Sequence, residues 1–366
     1  MQNIGLLKML RIESFVLLWM ICLVGCGSGC GFAEEPLRLA SASSQQGGEG
    51  IVWGYTVEGM PQGTETITDI EEKAGVESGM IVFFLAWPSP DARQSAAFPV
   101  KTCETIREYG AIPVLTWEPF YFSQSDEEQM IDSATVCNGE YDEYLKDFAQ
   151  RVKKWGHPVL IRFGHEMNIR RYHWGTRDKE AFGPDSPGKY RRMFRHVVRI
   201  FREANADNAL WVFCPNAESV PNTSFEPTAG WNRISAYYPG DSWVDILGMD
   251  GYNWGTTRTL EENGWKSQWA SFRSIFTNAY KELRRLAPQK QLFVFETASV
   301  QEGGSRAEWL QNALRTAKSW QLNGVCWFQV NKENDWRLSG KKNPEVMRYL
   351  EEMTTSKFPL IPSADE

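Results

Sequence analysis

The chain has 366 residues, 42% hydrophobic and 23% charged, with a formal net charge of −7, enough length for one large α/β barrel or two average domains. No lysine- or arginine-rich run occurs, so a phosphate backbone finds no electrostatic landing site and nucleic acid is not an expected partner. Aromatic residues stand out instead, at 16 Trp, 12 Tyr and 20 Phe, and flat rings of this kind line sugar-binding clefts as well as cores.

Residues 1–33 read as a signal peptide: Lys8 and Arg11 precede an apolar run at 15–24 that is too short to cross a bilayer. Its end has two readings. Leu23-Val24-Gly25-Cys26 resembles a lipobox with Cys26 as the lipidated residue, and Gly31-Phe32-Ala33 would serve an ordinary signal peptidase. The lipobox is favoured, which makes the protein an exported lipoprotein, periplasmic or on the cell surface. Residues 34–50 are small and polar, a flexible tether.

Short apolar runs then recur at 51–55, 80–87, 111–117, 158–166, 209–214, 244–249, 291–296 and 324–330. Segments with helical spacing separate most of them, notably 141–155, 189–203, 269–285 and 306–320. Eight strands alternating with helices predict a single (β/α)₈ barrel over 51–353, closed by a last helix near 344–353 and followed by a loose tail at 354–366. A doubly wound sheet would be expected to carry a Gly-rich phosphate loop after the first strand, and none is present. Cys214 and Cys326 lie in strand-like runs as buried thiols, whereas Cys103 and Cys137 are available for one disulfide in an oxidising compartment.

The fourth run carries the first chemistry. Val159, Leu160 and Ile161 stop abruptly at Arg162, His165, Glu166 and Asn168, a strand delivering a carboxylate to the end where barrel active sites are assembled. Leu292-Phe293-Val294-Phe295 does the same for Glu296 at the end of the seventh. Across an eight-stranded mouth these two strand ends face each other, which favours a carboxyl separation of roughly 5–5.5 Å and retaining glycoside cleavage. Each residue also has a plainer alternative. Glu166 could be neutralised by Arg162, its same-face neighbour on an alternating strand. His165 could be a near-core histidine, and adjacent His and Glu on a strand point apart, which argues against metal chelation by that pair. Asp250-Gly251-Tyr252 could be only a turn. Glu118, ending the third run, is open between a third cleft carboxylate and a surface residue.

Taken together these segments resemble glycoside hydrolase family 26, best known for endo-β-1,4-mannanases. The matching residues are His165-Glu166-Met167-Asn168 with Tyr172 and Trp174, the strand end at 210–216, the loop at 237–241, Asp250-Gly251-Tyr252-Asn253, and Glu296-Thr297. The resemblance spans roughly 51–340. It implies Glu166 as acid/base, Glu296 as nucleophile and Tyr252 as the tyrosine that hydrogen-bonds the nucleophile. It further implies His165, Asn168 and Asp250 as polar residues around the substrate, Trp174 as an aromatic lining the cleft and Trp327 as a stacking floor for the sugar. The expected substrate is a β-linked polysaccharide, β-1,4-mannan first, with β-glucan or β-xylan as runner-up, cleaved by a monomer that needs no metal or other cofactor. A glycan-binding lipoprotein without turnover is the rival from another class, but its signature, a replaced catalytic carboxylate, is absent. Ile169, Arg171 and His173 stand where the family has glycine, tryptophan and proline, altering the acceptor-side wall. Trp117-Glu118-Pro119 is a variant shared with family members acting on β-glucans.

Overall fold

The computed structural model describes residues 50–92, 97–339, 344–356 and 358. The signal-peptide segment with Cys26, nearly all of the tether and the tail from 359 onward lie outside the described residues. Eight parallel strands close into a barrel: β1 Ile51–Thr56, β2 Met80–Ala86, β3 Ile112–Glu118, β4 Val159–Phe163, β5 Ala209–Phe213, β6 Ile246–Asn253, β7 Leu292–Ser299 and β8 Gly324–Phe328. Each pairs with the next, and β8 returns to β1. All eight coincide with the apolar runs, so the fold class expected from the sequence is the one observed.

The strands read as unbroken apolar runs because both of their faces are covered. Val52, Met80, Val114 and Leu160 point into the barrel, while Trp53, Ile81, Leu115 and Ile161 pack against the helices. Helices α1 Thr64–Ala74, α2 Val100–Tyr109, α3 Asp142–Trp155, α4 Ser186–Glu203, α5 Phe272–Leu286, α6 Arg306–Ser319 and α7 Pro344–Met353 form the outer ring. The start of α6 is set locally: the Ser305 side chain accepts from the Glu308 N–H at 3.2 Å, the Ser-x-x-Glu spacing of a capping box. Between β5 and β6 the sequence is rich in Asn, Pro and Gly, and the connection forms the short helix Ile234–Tyr237 and two 3-10 turns, Ala229–Trp231 and Asp241–Trp243, among loops that border the mouth.

Three features depart from the sequence expectations. The tail is not loose at its start: Thr354–Thr355 pairs in parallel with Ile51 and Val52, and the Phe358 ring stacks on Phe293 at 5.6 Å, covering the N-terminal end of the barrel. Cys103 and Cys137 form no disulfide; all four described cysteines are free thiols, and Cys103 is buried in the core beneath α2. A β-hairpin, Phe120–Phe122 with Glu128–Met130, rises directly after β3 and walls one side of the mouth.

Candidate active site

Inward alternation along β3 and β4 brings apolar Val114 and Leu160 into the barrel and then, one layer higher, Thr116 and Arg162, which lie in register. The Arg162 side chain is wholly buried. Its Nε and Nη2 donate to Thr116 Oγ1 at 2.9 and 2.7 Å, Nη1 donates to Asp250 Oδ2 at 2.5 Å, and Nη2 also donates to Glu296 Oε1. A buried guanidinium costs several kcal/mol unless it is paired and fully hydrogen-bonded, and carboxylates from β6 and β7 meet that need here. Arg162 therefore does not neutralise Glu166, contrary to the plainer alternative. β4 ends at Phe163, so the alternation that would place 162 and 166 on one face stops short of Glu166.

Strict alternation along β7 would direct Phe293, Phe295 and Thr297 inward and Glu296 outward. The ladder slips there instead: Met249 faces Val294 and Asp250 faces Glu296 on one side, while Val325 faces Val294 and Trp327 faces Thr297 on the other. One extra residue in β7 is a bulge, a device that re-aims a side chain. It turns Glu296 into the mouth, where the Tyr252 hydroxyl donates to Oε2 at 2.5 Å.

Glu166 is delivered differently, by a turn beyond β4 in which Gly164 and Glu166 have φ of 54° and 50°. A Cβ at residue 164 would stand 3.1 Å from the Tyr190 ring, so glycine is favoured by space as well as by backbone. Glu166 holds its left-handed conformation at a cost on the order of 1 kcal/mol, with its N–H anchored on Cys214 O at 2.8 Å. Its Oε1 accepts from Asn216 Nδ2 at 2.7 Å. Asn168 in turn fixes Asn216, accepting from its N–H at 2.8 Å and donating to its carbonyl at 2.9 Å. Burial foremost, and then the charge of Glu296, push the Glu166 carboxyl up to about 7, with the Asn216 hydrogen bond and Arg162 opposing.

Both glutamates, Tyr252 and Trp174 line one open cleft of about 2430 Å³ at the C-terminal face of the barrel. Trp174 stacks on Tyr172 at 5.1 Å and on Phe120 at 6.2 Å, and its indole donates to His165 O at 2.5 Å. The other expected substrate contacts do not border the cleft. Asp250 lies under the floor against Arg162, with its carboxyl raised by burial; Asn168 is a brace for Asn216; His165 is buried beside Tyr172, with ring centroids 4.6 Å apart, and burial holds it well below its ordinary range, hence neutral. Trp327 needs outright correction as a stacking floor. Cys326 points into the barrel, so Trp327 points out, packing on Trp309 of α6 and donating to Trp336 O at 2.8 Å. Phe328, one residue on and of inward parity, lines the cleft with Trp336, whose ring lies 5.2 Å from Tyr252. Asn216 had a sequence signal, as the polar end of the fifth run. Arg162 had one too, but it pointed to the wrong carboxylate.

A family model described as Glycosyl hydrolase family 26 matches residues 111–311. Endoglucanase H of Acetivibrio thermocellus is 34% identical over 248 residues, 67% of this chain and 24% of that protein. A mannan endo-1,4-beta-mannosidase of Bacillus subtilis is 30% identical over 134 residues, 36% of this chain and 34% of that protein. The matches thus span about a quarter to a third of these relatives' own lengths. Among solved structures, Bacillus subtilis mannanase man26 superposes with a TM-score of 0.57 at 14% identity, over 88% of this chain and 93% of that one, a likeness of fold. With more than half of its length matched by the family model, the chain belongs to glycosyl hydrolase family 26.

Proposed function

We propose that the chain is a retaining endo-β-glycanase working by double displacement, with Glu166 as acid/base and Glu296 as nucleophile. The observation that carries this reading is the contrast between the two carboxyls in one cleft. Glu296 faces the guanidinium of Arg162 and the hydroxyl of Tyr252, whereas Glu166 meets a neutral amide and is pushed up to about 7. Pairs of carboxyls whose surroundings push them apart divide into nucleophile and acid. In the first half-reaction a Glu296 oxygen bonds to the anomeric carbon, the bond to the departing sugar's oxygen breaks, and the Glu166 proton moves to that oxygen. Loss of the Glu296 charge in the ester removes one of the two influences that raise Glu166, which therefore stays ionised after giving up its proton. It takes a proton from water as that water attacks the anomeric carbon and frees Glu296, so the β configuration is restored.

The substrate in this reading is a β-linked hexose polymer, β-1,4-mannan first. A second reading, β-glucan, is favoured by the longer match to a protein named endoglucanase. The protein acts outside the cell as a monomer, anchored through Cys26; exchange of Cys26 for Ser with unchanged membrane fractionation would remove the anchor from this reading.

Release of reducing ends from galactomannan, glucomannan, mixed-linkage β-glucan and β-1,3-xylan identifies the polymer. NMR of the first-formed product then tests the chemistry: the β anomer is expected, and an initial α anomer would overturn double displacement. Glu166→Gln is expected to lower turnover of the polymer by about 10²–10⁴-fold, while a dinitrophenyl glycoside, whose leaving group needs no proton, keeps its first-step rate.

A further inference from the structure

We propose that Glu118 is a specificity-determining residue of this cleft, its carboxyl binding a hydroxyl of a sugar ring held beside the scissile bond. This rests on the glycanase reading above and adds a third carboxyl to it, with a binding role. The placement comes from strand parity. On β3, Val114 and Thr116 point inward and Thr116 holds Arg162, so Glu118 stands one layer above the buried ion-pair cluster. Its backbone is fixed there, in register with Ala86 and accepting from the Trp87 N–H at 3.0 Å. The side chain lines the cleft, as do Phe84 and Phe120, and is only 7% exposed.

Among the described residues no side chain or backbone group hydrogen-bonds this carboxyl. Its carboxyl opens on the cleft, where a bound ring can supply the hydrogen-bond partners that the protein does not. Five ionisable groups face it. Arg162 and Arg171 favour its charge, Glu296 and Glu128 oppose it, and the Tyr172 hydroxyl stays neutral; burial is the largest influence and pushes it up to about 8. Below that pH Glu118 presents one O–H donor beside one carbonyl acceptor, the complement of a sugar hydroxyl that accepts and donates at once. Arg171 and Glu128, ion-paired at 2.7 Å above it, fix the wall on this side of the mouth. A polymer whose ring places a hydroxyl elsewhere leaves the buried carboxyl unpartnered, which is how a site of this kind discriminates.

The test compares Glu118→Ala with Glu118→Gln, which keeps a neutral donor and acceptor. In the Glu296→Ala background, mannohexaose and cellohexaose are titrated by calorimetry, so that binding is read without turnover. Glu118→Ala is expected to weaken the bound oligosaccharide by about 10–100-fold and Glu118→Gln by less than about threefold at pH 6. With Glu296 intact, kcat/KM should fall with two protons above pH 8, one each from Glu166 and Glu118, and with one proton in Glu118→Gln. Unchanged affinity in Glu118→Ala overturns the proposal. Equal losses in both variants, accompanied by lower melting temperatures and an unaltered alkaline slope, also overturn it in favour of a packing role. If neither these two oligosaccharides nor those of mixed-linkage β-glucan and β-1,3-xylan bind while Glu118 is intact, the glycanase reading itself has failed and the proposal falls with it.

Discussion

β4 and β7 each present a glutamate to the same cleft, yet they do so by opposite means. β7 stays a strand and inserts a bulge, placing Glu296 against a charge that is itself locked into the barrel; β4 ends early and throws Glu166 onto a strained turn against a neutral amide. The lesson is that identical side chains acquire different surroundings from what the backbone brings beside them, and that in the proposed mechanism the division of labour is built one layer below the cleft, at Arg162. Breaking the Glu296 side should have the largest effect. Glu296→Ala is expected to lower kcat by on the order of 10⁴-fold or more in a barrel that still folds but melts earlier, because the covalent step is lost and Arg162 loses one of its two carboxylate partners; more than a hundredth of the activity remaining would sink its assignment as nucleophile. Arg162→Met strands the buried Asp250 and Glu296 carboxyls and should cost about 3–5 kcal/mol of stability together with activity, seen as earlier urea unfolding. A variant as stable as the parent would mean that the ion-pair cluster is not what organises the floor.

Tyr252→Phe removes one donor from Glu296 and nothing from the core, so a drop in kcat of about 10–100-fold without loss of stability is expected. The smallest effect sharpens the Glu166 side. Its hydrogen bond from Asn216 favours the ionised form, so Asn216→Ala should keep Glu166 protonated to higher pH and move the alkaline limb of kcat/KM upward. A downward movement would show that Asn216 does something other than stabilise the charged carboxyl.

The barrel was legible because its strands are buried on both faces: eight apolar runs separated by amphipathic segments leave little choice of architecture. What failed to show in the sequence was parity. The reading of Arg162 as a partner for Glu166 extended strand alternation past Phe163, where the strand has already ended. The resemblance to the family puts Trp327 in the cleft, although Cys326 in the barrel interior obliges its neighbour to face α6 and leaves the cleft to Phe328. Conversely, Glu296 lines the cleft only because of a bulge that its sequence does not announce. His165, Asn168 and Asp250 sit close to the chemistry in sequence and behind it in space, as braces and counter-charges that composition cannot tell from contacts. Glu118 shows the opposite case, a position that sequence left open between cleft and surface and that inward parity on β3 assigns to the cleft.

The ninth strand, Thr354–Thr355, joins the beginning of β1, so the first and last described parts of the chain meet at one end of the barrel. That end is the pole opposite the mouth. Gly50 lies at this rear pole, and a support attached on that side would leave the cleft facing outward, toward incoming polymer.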